Sequence, residues 1–494
     1  MSEKLPERAD IRQLRIQAKE LLRQLQSGES LVENKPFTNA KLADAQRLIA
    51  RKYGFPSWPK LVDQVETPAQ IEKFKQAIET GDTAVLEQLL QESAAVRKAI
   101  NDPLFYFDSP AILRVANHPA ATKIIPILAK YGADLNQRSK WWAGGFSALD
   151  YSKGETTDLL VKLGANYDVW SAATQGKLQE LKALLDKDPE SVNAPGGDGQ
   201  RPLHTASTIE VAQLLIERGA DLEVRDIDHE STPIQYQINN PEIVRLLLKH
   251  GAQPDVFTAV ALDDLDLFQQ LVAEDPKVAN AKVGAGQFVT TKSNGGHIYT
   301  YLLGANKTPV HVAADRGSTK VLAELIKSSS PAKQLIAAAL MGDEATVDQI
   351  LAQNPNIGKE MGADARTIAD AAQAGKVEAV RLLLKAGLDP AARRLDDGTA
   401  LHTACWFGQL EVVKMLVHRV PLELKDKVHG GTPLSWAIHG SQHCRNASGD
   451  YPAVVRLLLE SGADIHTPAN NGGTTMLQQA GNREDVKAVL REYL

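Results

Sequence analysis

The sequence predicts an all-α chain of repeated helix pairs behind a helical N-terminal segment. Three observations carry this expectation. The first is a period: Thr399 and Thr432 open two similar copies 33 residues apart, Gly219 and Gly251 close two copies 32 apart, and Gly132 and Gly164 are again 32 apart. A period in this range marks a stack of small supersecondary units. The second is the pattern inside each copy, which reads as a short helix, a glycine stop and a second helix. The third is the amphipathic spacing of the first 66 residues, which do not repeat.

Taken in chain order, Ile11, Leu14, Ala18, Leu21, Leu22 and Leu25 lie on one face of a helix. "TNAKLADAQRLIARKYGF" predicts a second helix, capped at Thr38 or Asn39 and stopped at Gly54. "SWPKLVDQVE" starts a third at Ser57, with Pro59 in its first turn. A repeat array needs its exposed end covered, so residues 1–66 are expected to form a helical cap and 67–494 the array. The alternative for this segment is a helix-turn-helix DNA binder with Arg12, Arg15, Lys19 and Arg23 on a basic helix. The net charge of −6, from 55 Lys plus Arg against 61 Asp plus Glu, argues against a nucleic-acid partner.

In the array, Thr-Pro opens a unit because threonine caps free helix N–H groups and proline fits the first turn. Leu and paired alanines make a thin face that lets neighbouring helices approach. A glycine ends the first helix, and Val-Val-x-x-Leu-Leu spacing carries the second. Gly-Ala-Asp then terminates the unit.

These features, in Pro202–Asp221, Thr308–Ile326, Gly398–Leu416 and Thr432–Asp464, resemble the ankyrin repeat family. The resemblance covers roughly residues 69–494, about 13 units at one per 33 residues. It implies a solenoid of antiparallel helix pairs with projecting hairpin loops. It also implies that His204, His311 and His402, in the Thr-Pro-Leu-His position, make structural hydrogen bonds between adjacent loops. Its implied role is protein–protein interaction through the concave groove and loops. Copies beginning at Phe74, Trp170, Phe257 and Leu335 lack Thr-Pro-Leu-His and are read as degenerate units of the same stack. The N-terminal run "YGFPSWPKLV" is similar to a group of bacterial ankyrin proteins, which suggests a bacterial source.

Composition narrows the functional classes. With 43% hydrophobic residues the chain supports a packed core, and with 5% aromatics that core is expected to be Ala, Leu and Val. Two cysteines, Cys405 and Cys444, exclude a disulfide framework and suit a reducing compartment. No signal peptide and no run of about 18 apolar residues is visible, so no membrane partner is expected and cytoplasm is the expected location. Gly-x-Ser-x-Gly, His-Glu-x-x-His and Walker sequences are missing. No cofactor, metal or catalytic residue is assigned, and an enzyme without these motifs is the alternative reading.

Candidate contact residues follow from the register. Trp406 and Phe407 precede the glycine that ends their helix, where the family's resemblance implies target contacts. One repeat on, Trp436 falls beside Thr403 and His439 beside Trp406, so the four aromatic rings are expected along one groove. Packing between repeats is the competing reading, more so for Trp436 than Trp406. Trp141 and Trp142 sit in a hairpin link and cannot both enter one core, so at least one is expected at the surface. Residues 283–306 interrupt the period, with "FVTTK" and "HIYTYLL" alternating as in a small hairpin. Gln287, His297, Tyr299 and Tyr301 are its candidate contacts.

A second insertion, "HGSQHCRNASGDY" (439–451), gathers His439, His443, Cys444, Arg445 and Asp450. Its first helix is expected to end near Gly440 and the next to start near Pro452, with residues 440–451 as the inserted loop. The favoured reading is an ordered polar loop contacting a partner, with Asp450 as a helix cap. Zinc on His439, His443, Cys444 and Asp450 is the lesser alternative. A protein partner is therefore expected, with a small ligand or an enzyme site built on the two insertions as the alternative.

Overall fold

The computed structural model describes the chain except residues 1–2, 7–8, 28–30, 33–34, 37–38, 293–294, 328, 395–396, 445 and 447. It divides into two compact units. The first comprises Met1–Gln253 with Thr290–Ile298, and the second Pro254–Val289 with Tyr299–Leu494. Apart from a two-residue ladder of Leu31–Val32 with Lys35–Pro36, and a bridge between Phe105 and Ser109, the described residues form no strands. No helix among them is long and apolar enough to cross a membrane.

The first unit opens with helices Ile11–Ser27, Leu42–Lys52 and Trp58–Thr80. Leu14, Ala18, Ile49, Ala50 and Leu61 form the seam that joins them. The second helix begins at Leu42 rather than after Thr38 or Asn39, because Lys41 takes the capping position and Asp44 accepts its backbone N–H at 3.0 Å. The third helix starts after Ser57, which makes no side-chain capping bond, and runs without interruption to Thr80, where Gly81 ends it in the left-handed conformation. Its C-terminal half is thus the opening helix of the first repeat.

Six helix pairs follow in the first unit. They are Trp58–Thr80 with Thr83–Glu92, Ala111–Val115 with Ala121–Lys130, and Ala148–Tyr151 with Glu155–Lys162. Val169–Thr174 with Leu178–Lys187, Pro202–His204 with Ile209–Glu217, and Pro233–Tyr236 with Pro241–Lys249 complete it. The second unit holds seven. It runs from Val256–Leu262 with Leu265–Glu274, through Pro309–Arg316 with Thr319–Lys327 and Pro331–Met341 with Glu344–Gln353. Thr367–Gln373 with Val377–Lys385, Ala400–Trp406 with Leu410–Leu416, Pro433–His443 with Tyr451–Glu460, and Met476–Gln479 with Glu484–Arg491 end it.

The local chemistry explains the repetition. Thr399 Oγ1 and Thr432 Oγ1 accept backbone N–H groups of the first turn, and proline follows Thr232, Thr308 and Thr432. The histidine three residues on closes the same cap: His204 Nδ1 accepts the Arg201 N–H at 3.0 Å and His311 Nδ1 the Thr308 N–H at 3.3 Å. His204 Nε2 then donates across to the Ser231 carbonyl at 3.1 Å in the next loop. Where Thr-Pro is missing, aspartate replaces it. Asp168 and Asp255 accept the Ser171 and Thr258 N–H groups at 2.7 and 3.0 Å. Two of the degenerate copies, those at Trp170 and Phe257, are therefore capped helices with aspartate in place of threonine.

The segment 283–306 does not form the hairpin expected from its alternation. It folds as short turns at Gly286–Phe288 and Thr300–Gly304. Phe288 and Tyr299 meet Phe257 edge-on with centroids 5.0 and 5.4 Å away, so their rings fill a core position instead of pairing strands.

Candidate functional site

A concavity of the second unit lies where four consecutive repeats meet. It encloses about 500 Å³ and is lined by Trp406, Phe407, Trp436 and His439, with Gln373 and Arg394 among the polar groups around them. Trp406 and Phe407 end helix Ala400–Trp406. Trp436 and His439 come one turn apart on helix Pro433–His443. Trp406 meets Trp436 edge-on with centroids 6.0 Å apart, and lies against the His439 ring at 5.3 Å. The two helices approach this closely because residue 440 is glycine. A Cβ there would sit 2.3 Å from the Trp406 carbonyl oxygen.

Trp436 is held by a charge. Its Nε1 donates to Asp426 Oδ2 at 2.9 Å. Asp426 is buried and also accepts the His429 N–H at 2.5 Å and the Gly431 N–H at 2.8 Å. Burial raises the Asp426 pKa, but these three donors and the nearby His429 hold it below the ordinary value. Burial, then the neighbouring His443 and His429, lowers the His439 pKa, so its ring is biased toward the neutral form. On the opposite wall Arg394 donates to Gln373 Oε1 at 2.6 Å and lies 3.6 Å from Asp370. The cleft thus offers aromatic faces between amide and guanidinium groups, a surface suited to an apolar side chain with polar main chain on either side.

The second insertion braces this cleft. Helix Pro433–His443 passes through Gly440 and ends at His443, correcting the expected break, because the Cys444 N–H still bonds the Gly440 carbonyl at 2.8 Å. The inserted loop is therefore 444–450. It folds back onto the preceding repeat: Asn446 donates to the Phe407 carbonyl at 2.5 Å, and Tyr451 Oη donates to the Trp406 carbonyl at 3.0 Å. Asp450 caps the next helix through the Ala453 N–H at 3.1 Å. His439 and His443 are exposed, with ring centroids 4.4 Å apart. Arg445 lies outside the described residues.

The other expected contacts divide by burial. Trp142 is 54% exposed, while Trp141 is half-buried and donates from Nε1 to Asp198 Oδ1 at 2.9 Å. Gln287 and Tyr301 are exposed. His297 and Tyr299 are corrected: both are fully buried, and Tyr299 Oη donates to Asp255 Oδ2 at 3.0 Å. Neither lines the cleft. Their rings fill interior positions, and a surface role is closed to them. Cys405 is buried, and burial pushes its thiol pKa well up, which makes it inert.

Gln373, Arg394 and His429 were missed. A signal existed for the first: Gln373, Trp406 and His439 fall 33 residues apart, in one register. Also missed was a cluster in the first unit, where Asp198, Asp228 and His229 bring ligand atoms within 4.8 Å of one another. Burial, then the neighbouring Asp228, pushes the Asp198 carboxyl up to about 6.

Comparison with known sequences agrees with this architecture. A family model described as ankyrin repeats in three copies matches residues 169–258, 335–426 and 368–469. The chain is 25% identical over 331 residues to E3 ubiquitin-protein ligase KEG of Arabidopsis thaliana, covering 65% of this chain and 18% of that protein. It is 37% identical over 90 residues to Ankyrin repeat and SAM domain-containing protein 6 of Mus musculus, covering 17% and 10%. It is 25% identical over 282 residues to Ankyrin repeat protein nuc-2 of Neurospora crassa, covering 55% and 20%. The matched part spans a fifth or less of each relative's length.

Proposed function

Because this chain is built of ankyrin repeats, we propose that it is an interaction protein that seats an extended segment of a protein partner in the cleft of its second unit. A large apolar side chain of the partner enters between Trp406 and Trp436. Gln373, Asn470 and Arg394, all lining the cleft, meet its main chain. One observation carries this reading: Trp406, Phe407, Trp436 and His439 come from two successive repeats to a single wall, which the insertion loop then fixes by its bonds to the Trp406 and Phe407 carbonyls. Pre-organised aromatics at the centre of a polar rim are the usual composition of a binding hot spot. His443 and Arg445 extend the same rim, and Trp141, Trp142, Gln287 and Tyr301 are secondary contacts. A cytoplasmic setting in a bacterial cell fits the two unpaired cysteines and the N-terminal sequence style.

The volume of about 500 Å³ also suits a small molecule, so the test separates the two. Affinity capture from the source cell with the full chain is compared with Trp406→Ala/Phe407→Ala, both checked for unchanged helicity. The double variant is expected to lose a specific protein partner by tenfold or more. Equal recovery of the same partners by both forms would remove the cleft from the interaction, and recovery of a metabolite in place of a protein would favour the small-ligand reading.

A further inference from the structure

We infer that the loop junction of the first unit is a binding site for one divalent transition-metal ion, held by Asp198, Asp228 and His229. Three stretches of chain distant in sequence meet there. Asp198 sits in one loop at φ 56°, and its carbonyl accepts the Ile227 and Asp228 N–H groups at 2.9 and 3.1 Å from the next. Residues on either side of the undescribed 293–294 reach both: the Thr291 N–H donates to Glu230 Oε2 at 2.8 Å, and the Ile298 N–H to Ser231 Oγ at 3.2 Å.

Within this junction the ligand atoms are individually aimed. Trp141 Nε1 occupies Asp198 Oδ1, and the Gly295 N–H occupies Asp228 Oδ1, each at 2.9 Å. The second oxygen of each carboxylate faces His229 Nε2, at 4.0 Å for Asp198 and 3.7 Å for Asp228. Asp228 is only 7% exposed, and Asp198 is half-buried. Two carboxylates brought this close together away from water are costly unless positive charge stands between them.

The imidazole is set for that charge to be a metal. His229 Nδ1 lies 2.7 Å from the Gly296 carbonyl, which only accepts, so Nδ1 carries a proton and Nε2 is the ring nitrogen on the carboxylate side. This is the usual arrangement behind a metal-bound histidine, whose other nitrogen donates to a carbonyl. Gly295 completes the fit, since a Cβ there would fall 2.7 Å from Asp228 Oδ2 and 2.8 Å from His229 Cε1. Two carboxylates with one imidazole suit Zn2+ or Mn2+ better than Ca2+ or Mg2+, which prefer all-oxygen shells. The bound ion would tie 290–298 to the repeat loops beneath.

The test uses the untagged full chain, stripped with EDTA and titrated calorimetrically with Zn2+ and with Mn2+. One ion per chain is expected, with affinity lowered at least tenfold in Asp228→Asn and in His229→Gln. Trypsin cleavage at the exposed Lys292 is expected to slow when the ion binds. Should either variant fail to fold, Co2+ titration of the wild type decides, because an ion beside Asp198 quenches Trp141 emission saturably at one equivalent. No stoichiometric uptake, or undiminished uptake in folded His229→Gln, overturns the site and leaves a protonated imidazole as the balancing charge.

Discussion

Replacing Asp426 with asparagine changes one oxygen to an amide and should loosen the wall of the cleft from beneath. The carboxylate accepts three donors: the His429 amide on one oxygen, and the Gly431 amide with Trp436 Nε1 on the other. Asparagine keeps one oxygen. Turned toward Gly431 and Trp436, its NH2 group confronts the His429 N–H, donor against donor. Orphaning a buried donor costs about 1–3 kcal/mol, and the two surviving bonds lose roughly 1 kcal/mol together when the acceptor loses its charge. The expected loss is about 3 kcal/mol. It should be local, since repeats couple mainly to their neighbours. Urea unfolding followed by circular dichroism measures the total, and hydrogen exchange at the His429 and Gly431 amides locates it. The Asp426 pKa lies below its unfolded value, so its contribution is complete above about pH 4 and is lost as pH falls through the lowered value. A change under about 0.5 kcal/mol with unaltered exchange at both amides would refute the anchoring role.

Three further outcomes are expected. Gly440→Ala reverses the ordinary helix preference. Alanine normally gains about 0.5–1 kcal/mol over glycine, but here its Cβ would meet the Trp406 carbonyl oxygen, so a loss of about 1–3 kcal/mol and a widened cleft are expected in urea melts and tryptophan emission. His204, His311 and His402 are pushed down to about 4, chiefly by burial. The unfolded chain therefore binds more protons than the folded one, and stability falls as pH drops from about 6.5 to about 4, by up to about 3 kcal/mol per histidine. Asp150 and Asp198, each raised to about 6 chiefly by burial, work in the opposite sense, but three groups outweigh two; flat urea midpoints between pH 7 and 5 would contradict this. A thiol reagent should label Cys444 in the folded chain and reach Cys405 only on unfolding, and fast labelling of both would place Cys405 outside the core.

The sequence by itself determined the repeat architecture, because each helix pair is specified by contacts no more than a few residues apart. Thr432 with Pro433, the His402 cap and the Val412-Val413 stripe act within a turn or two of themselves. The 33-residue register then carried information from one repeat to the next, which is why Trp406 and His439 were placed on one groove. That register failed where the period is interrupted. Nothing in 283–306 distinguishes a side chain facing solvent from one facing the core, so His297 and Tyr299 read as contacts and fold as interior packing.

Only the tertiary structure decided the rest. Helix Pro433–His443 continues through Gly440 because its neighbour needs the glycine for close approach, a reason that lies on the other helix. The bonds from Asn446 and Tyr451 back to Phe407 and Trp406 join residues about forty apart. Asp198 converges with Asp228 and His229 from a separate loop, and no spacing in the chain encodes the few ångströms between them. Periodic structure is local and therefore written in sequence; a site assembled from separate loops exists only after the chain has folded.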